Sequence, residues 1–480
     1  MHFGQVQTWS LTGFGSSAHD AASRSYWMTD ALSTASRAEA ADPLSSSDRA
    51  DVCIVGGGFT GLWTAIELKR REPTLNVVLL EANQCGSGSS GANAGMLMNL
   101  WPKLPTLLKV GGRDEGLDIA RASVEAINHI RLFCSEHNID AEIQSNGWLW
   151  ASNNSSQDRA WRETLDASSA YDDSPFVELD GDRATELAGA PVRGGVLDPT
   201  CVGLHPGKLV RGLLAAARSL GVAVYERSPV RGLEKSEHGS TTVRTLHGSV
   251  QADAIVLAIN AWCTGIPELR KYLLTTASDT VVVQPRQPFD AASRANVSDA
   301  GRLLDYWRGL EDGKVLFGKA GLALGWRARG ARTLYRPVPH PTHLLDHMAR
   351  TVPALVGANV VSTWRAPVEY SISSLPFFGE VPGWRGVYFG TGYSGDGIGP
   401  AVIGAQILAS LVSRSNDGLS QSFLTRLPSG RGLPPEPIRF VGGQFVKNAL
   451  LRQDRRQDEE RTVGTLTGLL TRIDPTSFVG

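Results

Sequence analysis

The sequence has few cysteines, almost no net charge and no long apolar run, and each shortage excludes a class of protein. Its five cysteines are widely spaced and form no C-x-x-C pair, which argues against a zinc site or a disulfide framework. A net charge of −1 provides no field that would attract nucleic acid or an anionic membrane surface. No segment is apolar over the roughly 20 residues that span a bilayer, and the N-terminus lacks a secretory pattern. We therefore expect a cytoplasmic protein without nucleic-acid or membrane partners.

Residues 51–81 carry the clearest pattern in the chain. An apolar run, Val52–Val55, leads into Gly-Gly-Gly-Phe-Thr-Gly at positions 56–61, which matches the motif G-x-G-x-x-G. A segment with apolar residues at helical spacing follows, and a second apolar run at 77–80 ends at Glu81. Together these elements predict a strand–helix–strand unit that binds a dinucleotide, rather than a glycine-rich surface turn.

Residues of this unit have distinct mechanical roles in binding a dinucleotide. Gly56 allows a tight turn, Gly58 lets the backbone approach the phosphates, and Gly61 lets the helix pack closely on the strand. The phosphates would lie against free N–H groups at the helix N-terminus, where the helix dipole favours negative charge. Glu81 is placed to accept hydrogen bonds from ribose hydroxyls, and its charge would repel the 2′-phosphate of NADP.

The residues after Glu81 favour FAD over NAD. A loop of small residues, Cys85–Gly95, follows the second strand directly and would let the backbone approach a ligand that extends beyond the first unit. A second glycine-rich segment, Tyr393–Gly399, precedes Pro400, which suits the first turn of a helix. The sequence therefore predicts a second helix N-terminus directed at the ligand.

Four sequence blocks occur in an order that is specific to one family. They are the first strand–turn–helix, the small-residue block Glu81–Gly95, the segment H-P-x-K-L-V at His205–Val210, and L-P-F-F-G at Leu375–Gly379 followed by the glycine-rich block Gly390–Gly397. In this order they resemble the D-amino-acid-oxidase/glycine-oxidase-like superfamily of FAD-dependent amine oxidoreductases, over about residues 25 to 415. Within that superfamily the chain is most similar to γ-glutamylputrescine oxidoreductase-like members.

The resemblance implies FAD as the cofactor, bound without a covalent link. Some members attach the flavin through a histidine or a cysteine, and Ala92 and about Val368 occupy those positions here. The helix that begins at Pro400 is expected to face the pyrimidine edge of the flavin, where its positive end would stabilise the anionic reduced ring. The implied FAD contacts are Gly56, Gly58, Phe59, Thr60, Gly61, Glu81, Ala82, Gly88, Ser89, Ser90, Asn93, Ala94, Gly95, Met96, Val230, Ala261, Gly392, Gly395, Asp396, Gly397 and Ile398.

The implied fold is α/β with an α+β second domain: a Rossmann-like FAD-binding domain interleaved with a sheet-based substrate domain, as in the glutathione-reductase type of flavoprotein. A chain of 480 residues is long enough for two such domains. The expected division is an N-terminal tail and linker (1–44), FAD-binding segments (45–110, 195–270 and 365–415), substrate-domain segments (111–194 and 271–364) and a C-terminal extension (416–480). The tail is expected to be poorly ordered up to about residue 24, and the extension to contain a helix whose charged second half is solvated.

The family chemistry is oxidation of the C–N bond of a primary or secondary amine. The resemblance implies hydride transfer to flavin N5, giving an imine that hydrolyses to an aldehyde or ketone, with oxygen as the acceptor and hydrogen peroxide as the product. Because the cofactor performs the difficult step, no serine–histidine–aspartate or paired-carboxylate motif is required, and none is present.

Three alternatives remain at the level of sequence. The first is an amine dehydrogenase that passes electrons to a quinone or another carrier. The second is a flavin monooxygenase reduced by NAD(P)H, although no clear second nucleotide motif is present. The third is a non-catalytic FAD-binding module. The sequence specifies neither the amine nor the oligomeric state.

Six residues are candidates for the substrate side of the flavin: Trp101, Lys103, Asn260, Lys319, Tyr370 and Tyr393. Trp101 is expected either to wall the amine pocket or to fill a domain interface. Lys319 follows a short strand at which some family oxidases carry a lysine that promotes electron transfer to oxygen. Arg365 would suit a substrate carboxylate through a bidentate pair, or else would form a surface ion pair. His205, beside a proline, is expected to have a structural or capping role.

Overall fold

The computed structural model of the chain describes residues 7–10, 24–33, 41–236, 239–290, 294–326 and 334–471. The strands are β1 (Gln7–Ser10), β2 (Ser47–Val55), β3 (Val77–Leu80), β4 (Met96–Leu97), β5 (Trp148–Ala151), β6 (Val177–Leu179), β7 (Gly195–Asp198), β8 (Val202–Gly203), β9 (Ala223–Tyr225), β10 (Gly232–Lys235), β11 (Thr241–Arg244), β12 (Ser249–Leu257), β13 (Leu273–Gln284), β14 (Asn296–Asp299), β15 (Asp305–Gly309), β16 (Val315–Leu324), β17 (Asn359–Ser371), β18 (Phe377–Glu380) and β19 (Val387–Thr391). The helices are α1 (Tyr26–Ser33), α2 (Phe59–Arg71), α3 (Leu104–Gly111), α4 (Arg113–Glu136), α5 (Arg162–Ser168), α6 (Gly181–Ala188), α7 (Pro206–Ser219), α8 (Pro341–Thr351), α9 (Pro400–Val412), α10 (Ile438–Asp458) and α11 (Thr465–Thr471). None of these helices is long and apolar enough to cross a membrane.

The first sheet is built around parallel strands. β2 lies between β12 and β3, and β19 and β9 extend this parallel core on either side. The last four residues of β2 and all of β3 are buried, as is usual when helices cover both faces of a parallel sheet. The antiparallel strands β11, β10 and β1 continue from β12, and β18 pairs with β19. The prediction of an α/β fold with a Rossmann-like unit is confirmed.

The helices α2, α7 and α9 share one core with this sheet. Leu62 and Ile66 of α2 pack with Leu213 of α7 and Ile407 of α9, and all four side chains are almost fully buried. Their spacing along each helix puts them on one face, so the helices can bury an apolar stripe without exposing another. This packing fixes α2 against the end of β2, where the glycine-rich turn lies.

The second sheet has eight strands in the order β17-β13-β16-β15-β14-β5-β7-β6. Neighbours are antiparallel except for β14 and β5, which are parallel. Leu344 and Met348 of α8 and Ala184 of α6 pack against Val281 and Phe317 in its core. The chain reaches this sheet in two separate stretches, so the two sheets are interleaved in sequence.

The structure differs from the predicted division at four places. Gln7–Ser10, in the expected tail, form β1 and pair with β10; most other residues up to 24 lie outside the described ranges. β7 belongs to the second sheet, although 195–270 was assigned to FAD binding. β17 stays in the second sheet as far as Ser371, although 365–415 was also assigned to FAD binding. α4, assigned to the substrate domain, packs Phe133 into the core of the first sheet beside Trp63. Composition does not reveal such boundaries, because both sheets use the same apolar residues.

The C-terminal extension docks on the second sheet through a buried ion pair. Lys319 of β16 is 7% exposed, and its Nζ lies 3.0 Å from an oxygen of Asp454 in α10 and 3.0 Å from Asp305. Burial by itself would lower the pKa of Lys319, but the charges of Asp305 and Asp454 raise it above its ordinary value. The expectation that the second half of this helix is a solvated charged face is therefore wrong for Asp454, because sequence alone could not reveal its buried partner.

We expect the substitution Lys319→Met to lower the free energy of unfolding by about 3–5 kcal/mol, because it removes the cation that the buried Asp305 and Asp454 share. Chemical denaturation of the FAD-loaded protein measures the change. Arg193→Gln is the matched control, since it breaks an ion pair with Asp158 whose side chains are 48% and 40% exposed, and its effect should be much smaller. Equal losses for the two variants would contradict the role assigned to Lys319.

Candidate active site

A cavity of about 590 Å³ is lined by residues of both sheets and of the glycine-rich loops. Most of the residues predicted from the sequence line it: Gly56, Gly58, Phe59, Thr60, Glu81, Ala82, Gly88, Ser89, Ser90, Asn93, Ala94, Met96, Lys103, Val230, Asn260, Tyr370, Tyr393, Gly395, Asp396, Gly397 and Ile398. Six predicted residues are not part of its lining: Gly61, Gly95, Trp101, Ala261, Lys319 and Gly392. The topology thus brings together segments that are more than 300 positions apart in the chain.

The glycine-rich turn leaves room that a side chain would fill. Gly56 has φ +111°, and a Cβ there would lie 2.4 Å from the carbonyl oxygen of Ala258. A Cβ on Gly61 would lie 2.0 Å from the carbonyl oxygen of Gly56, and one on Gly58 would lie 2.7 Å from Ser90 Oγ. Each glycine is therefore required by a close approach of backbone or side chain, as the motif predicts.

The N-terminus of α2 opens on the cavity. Gly58 is its N-cap and provides no side-chain cap, while Gly58, Phe59 and Thr60 all line the cavity. The N–H of Phe59 donates to Ser90 Oγ at 2.9 Å, so the small-residue loop contacts the first turn of the helix. A helix N-terminus with this exposure fits a diphosphate group.

Glu81 lies at the end of β3 and is held in a fixed orientation. One oxygen accepts the N–H of Gly57 at 2.8 Å and the other accepts the N–H of Asn83 at 2.9 Å. Burial raises the pKa of this carboxyl above its ordinary value, and the two N–H donors oppose that shift. The side chain thus presents acceptors beside the cavity where a ribose would lie, close to Ala82 and Val230.

The small-residue loop connects the first sheet with the second. Ser89 Oγ lies 3.0 Å from the carbonyl oxygen of Pro367 in β17 and 3.1 Å from Asn260 Oδ1. Asn93 donates through its side chain to the carbonyl oxygens of Ser89 and Ser90 and accepts from the N–H of Gly95, which closes the loop on itself. The loop is therefore a fixed wall of the cavity.

Neither histidine nor cysteine, the residue types that attach the flavin in some relatives, lines the cavity within the described residues. Ala92 and Val368 line it and cannot form such a bond. All five cysteines are buried and none lines the cavity. Burial raises the pKa of Cys85 and Cys263 well above the ordinary value, so both thiols are protonated.

The second glycine-rich block meets the first across the cavity. Tyr393 Oη lies 2.7 Å from Thr60 Oγ1 in α2. Residues 395–398 line the cavity, and α9 begins two residues later at Pro400. The φ angle of Gly395 is +95°, a conformation that glycine adopts without strain. The second helix N-terminus is thus positioned next to the same cavity as the first.

Glu369 is a buried carboxyl group that no sequence motif singles out. Its Oε1 accepts from Asn260 Nδ2 at 3.1 Å and from the N–H of Gly392 at 2.7 Å, and its Oε2 accepts from Thr391 Oγ1 at 2.5 Å. Burial raises the pKa of Glu369 to about 7, and the donors from Thr391 and Gly392 oppose the shift. Glu369 is one of the residues that line the cavity, and its carboxyl group has a near-neutral pKa.

The second sheet supplies an aromatic wall that was also missed. Trp148 and Trp150 line the cavity, and their rings stack with centroids 5.8 Å apart. Tyr306 of β15 lines it as well, with its hydroxyl 2.7 Å from Ser278 Oγ. Residues two apart in a strand share a face, so the pair of tryptophans could have indicated a common aromatic surface. The sequence could not reveal that this surface faces the glycine-rich loops.

The cations near the cavity are paired. Lys103 Nζ lies 2.7 Å from Asp396 Oδ2. Arg365 is 7% exposed and binds both carboxylate oxygens of Asp279, with the Nη2 contact at 2.7 Å. Arg365 therefore forms an ion pair, as one of the two expectations had it, but the pair is buried and not at the surface. Among the described residues that line the cavity, Lys103 is the only lysine or arginine, whereas four are acidic: Glu81, Asp299, Glu369 and Asp396.

Two other candidates, Trp101 and His205, have roles in the fold and do not line the cavity. Trp101 is 1% exposed and lies in the core of the first sheet, with its ring edge toward Tyr171 at 6.5 Å. His205 caps α7 by accepting the N–H of Lys208 at Nδ1, at 3.0 Å, which confirms its capping role.

Comparisons with known proteins agree with this geometry. The DAO family of FAD dependent oxidoreductases matches residues 51–411. The chain is 29% identical over 414 residues to gamma-glutamylputrescine oxidoreductase of Escherichia coli K12, covering 85% of this chain and 91% of the relative. It is 27% identical over 385 residues to glycine oxidase of Pseudomonas putida KT2440, covering 75% and 94% of the two chains. The crystal structure of glycine oxidase from Geobacillus kaustophilus has the same fold, with a TM-score of 0.64 at 21% identity over 80% of this chain and 100% of that one. The chain therefore belongs to the DAO family of FAD dependent oxidoreductases and uses FAD as its cofactor.

Proposed function

We propose that the protein is an amine oxidase that converts the C–N bond of a primary or secondary amine to an imine, which hydrolyses to an aldehyde or ketone, with oxygen as acceptor and hydrogen peroxide as product. The observation that carries this proposal is the cavity itself, which runs from the glycine-rich turn to an aromatic and acidic wall on the second sheet. Two relatives, a gamma-glutamylputrescine oxidoreductase and a glycine oxidase, are named for amine-bearing compounds.

The residues present fit the cofactor in three segments. The backbone of 56–60 would hold the diphosphate, Glu81 the ribose, and 395–398 the ring system near the start of α9. FAD supplies the two-electron acceptor of the reaction when it is bound. The chain contributes the binding of the amine, its orientation and the exclusion of water.

We propose Glu369 as the group that accepts the proton of the incoming ammonium. An amine donates electrons from carbon only when its nitrogen lone pair is free, so the cationic form must lose a proton first. Glu369 lines the cavity and is ionised above pH about 7. Its three hydrogen-bond donors hold both oxygens in place, which keeps the acceptor oriented toward the substrate.

A second candidate is the corresponding dehydrogenase, which passes electrons to a quinone or another carrier. The position of Lys319 favours it. The ammonium of Lys319 is bound by Asp305 and Asp454 and does not line the cavity, so it is poorly placed to promote reaction with oxygen.

The two candidates are separated by an anaerobic screen of the FAD-loaded protein against amines, amino acids and NAD(P)H. We expect an amine to bleach the absorbance of the oxidised flavin. Admission of air should then restore the colour and release hydrogen peroxide. Recovery only with an artificial dye would indicate the dehydrogenase, and bleaching by NAD(P)H alone would contradict both.

We expect acid precipitation of the purified protein to release all of its yellow colour into the supernatant, because neither histidine nor cysteine lines the cavity in the described residues. Absorbance of the supernatant and of the redissolved pellet measures the partition. A yellow pellet would show a covalent bond; the variant Cys85→Ser then tests whether Cys85 forms it.

We expect kcat/KM for the amine to rise with pH through about 7, as Glu369 ionises, and the variant Glu369→Gln to lose this rise. Its kcat/KM should fall on the order of a hundredfold, the usual contribution of a positioned base. Stopped-flow flavin reduction measures both. Glu380→Gln is the matched control because Glu380 is exposed on β18 and does not line the cavity. An unchanged profile in Glu369→Gln would exclude this role.

A further inference from the structure

The strand registers of the second sheet show which of its side chains share the face toward the cavity. Trp150 of β5 lies opposite Ser298 of β14, which lies opposite Tyr306 of β15. Residues directly opposite each other in neighbouring strands share a face, and this row continues through β16 and β13 to Trp364 of β17. The indole of Trp364 donates to the carbonyl oxygen of Ala92 at 2.9 Å, so this face is turned toward the small-residue loop.

The ring of Tyr306 lies along the surface of the sheet. A Cβ on Gly318 would lie 2.1 Å from Cζ of Tyr306, so the ring occupies the space that this glycine leaves on β16. Its hydroxyl lies 2.7 Å from Ser278 Oγ and 3.0 Å from Thr280 Oγ1, both on β13. The side chain therefore crosses β16 with one ring face toward the sheet. The other face is turned to the cavity, which Tyr306 lines.

Two indoles extend this aromatic surface onto β5. Trp148 and Trp150 lie two residues apart in the strand, so both project to the face that carries Ser298, and both line the cavity. Their rings stack with centroids 5.8 Å apart and an angle of 29° between the planes. Nε1 of Trp148 donates to Ser298 Oγ at 3.1 Å, which orients that indole. We call the side chains of Trp148, Trp150 and Tyr306 the aromatic wall.

The aromatic wall is not accompanied by charged groups. Of the described residues on this face of β5, β14 and β15 that line the cavity, none is charged. Asp299 follows Ser298 in β14 and projects to the opposite face. Lys103 also lines the cavity but is paired with Asp396. A substrate carboxylate or a second ammonium placed on the wall would lose water without gaining a partner, whereas an uncharged ring would bury apolar surface and contact other rings.

The wall extends away from the strand that meets the second glycine-rich block. Ser394 of that block accepts the N–H of Ser371, at the end of β17, at 3.1 Å. The strands β13, β16, β15 and β14 lie between β17 and β5. With the ring system of FAD near 395–398, as proposed above, the tryptophans of β5 are available to the substrate.

We propose that the substrate is an arylalkylamine whose uncharged aromatic ring packs on the aromatic wall. This inference rests on the proposed amine oxidation and concerns the part of the substrate that does not react. Arylalkylamines should therefore bind ahead of saturated amines of the same size, and ahead of diamines and amino acids.

The test compares amines that differ in one group. Phenethylamine, cyclohexylethylamine, hexamethylenediamine and phenylalanine are each titrated anaerobically into the FAD-loaded protein at one fixed pH. Saturation of the flavin reduction rate gives the dissociation constant, and perturbation of flavin absorbance gives it for any ligand that does not react. Phenethylamine should bind about three- to tenfold more tightly than cyclohexylethylamine, the scale of one aromatic pair beyond its area burial. The diamine and the amino acid should bind more weakly than either.

The variant Trp150→Leu should lower the ratio of the cyclohexylethylamine to the phenethylamine dissociation constant by about threefold, because leucine is apolar but has no ring. A general folding defect would weaken both ligands and leave this ratio unchanged. The flavin content and absorbance spectrum of the variant should match those of the unmodified protein. Trp384→Leu is the matched control, because Trp384 is 5% exposed, packs in the core of the first sheet and does not line the cavity.

The outcomes for the two proposals are separate. Failure of every amine to reduce the flavin would overturn the proposed function, while the dissociation constants would still test the aromatic wall. Equal or tighter binding of cyclohexylethylamine, or tightest binding of the diamine or the amino acid, would overturn the role of the wall alone. So would a Trp150→Leu variant with an altered flavin spectrum and an unchanged ratio, since the indole would then contact the flavin. If the variant does not fold, the series with the unmodified protein decides the question.

Discussion

The structure depends on one close approach, between the carbonyl oxygen of Gly56 at the end of β2 and the α-carbon of Gly61 in α2. Any side chain at position 61 would collide with that oxygen, so glycine alone allows the helix to start directly at the end of the strand. This approach puts the N-terminus of α2 at the edge of the cavity. Ser90 and Tyr393 then contact the first turn of the helix from the small-residue loop and from the second glycine-rich block. The positions of these loops are therefore set relative to a single turn.

The interleaving of the two sheets gives the cavity two chemically different sides. The first sheet contributes backbone N–H groups, small residues and Glu81, which suit a long cofactor with a diphosphate. The second sheet contributes the tryptophans of β5 and Tyr306, which give that side an aromatic surface. Glu369 of β17 lies where the second sheet is hydrogen-bonded to loops of the first. Because a titratable group at this junction is removed from water, its pKa moves toward neutrality, where proton transfer at physiological pH is efficient.

Charge in and around the cavity is divided between neutralised and unneutralised groups. Asp305, Asp279 and Asp396 each have a cationic partner, so their charges stabilise the fold and offer little to a ligand. Asp299 and Glu369 are held by neutral donors, apart from the distant influence of Lys319 on Asp299. A buried carboxylate without a counter-ion lowers stability. The C-terminal helix α10 supplies one of the neutralised groups, because its Asp454 pairs with Lys319, which does not line the cavity.

The sequence by itself determined the dinucleotide-binding unit, the glycine positions, Glu81, the small-residue loop and the second glycine-rich block, because local backbone geometry restricts the residue types at these places. It also determined the fold class, since buried parallel strands require continuous apolar runs and the four blocks follow the order of one family. Only the tertiary structure decided which face of β5 meets the loops, that Arg365 and Lys319 are buried in ion pairs, and that Glu369 lies at the cavity beside loops of the first sheet. These features depend on contacts between residues far apart in the chain. A carboxylate or a tryptophan occurs in the same sequence pattern whether it pairs with a cation, packs in the core or contacts a ligand.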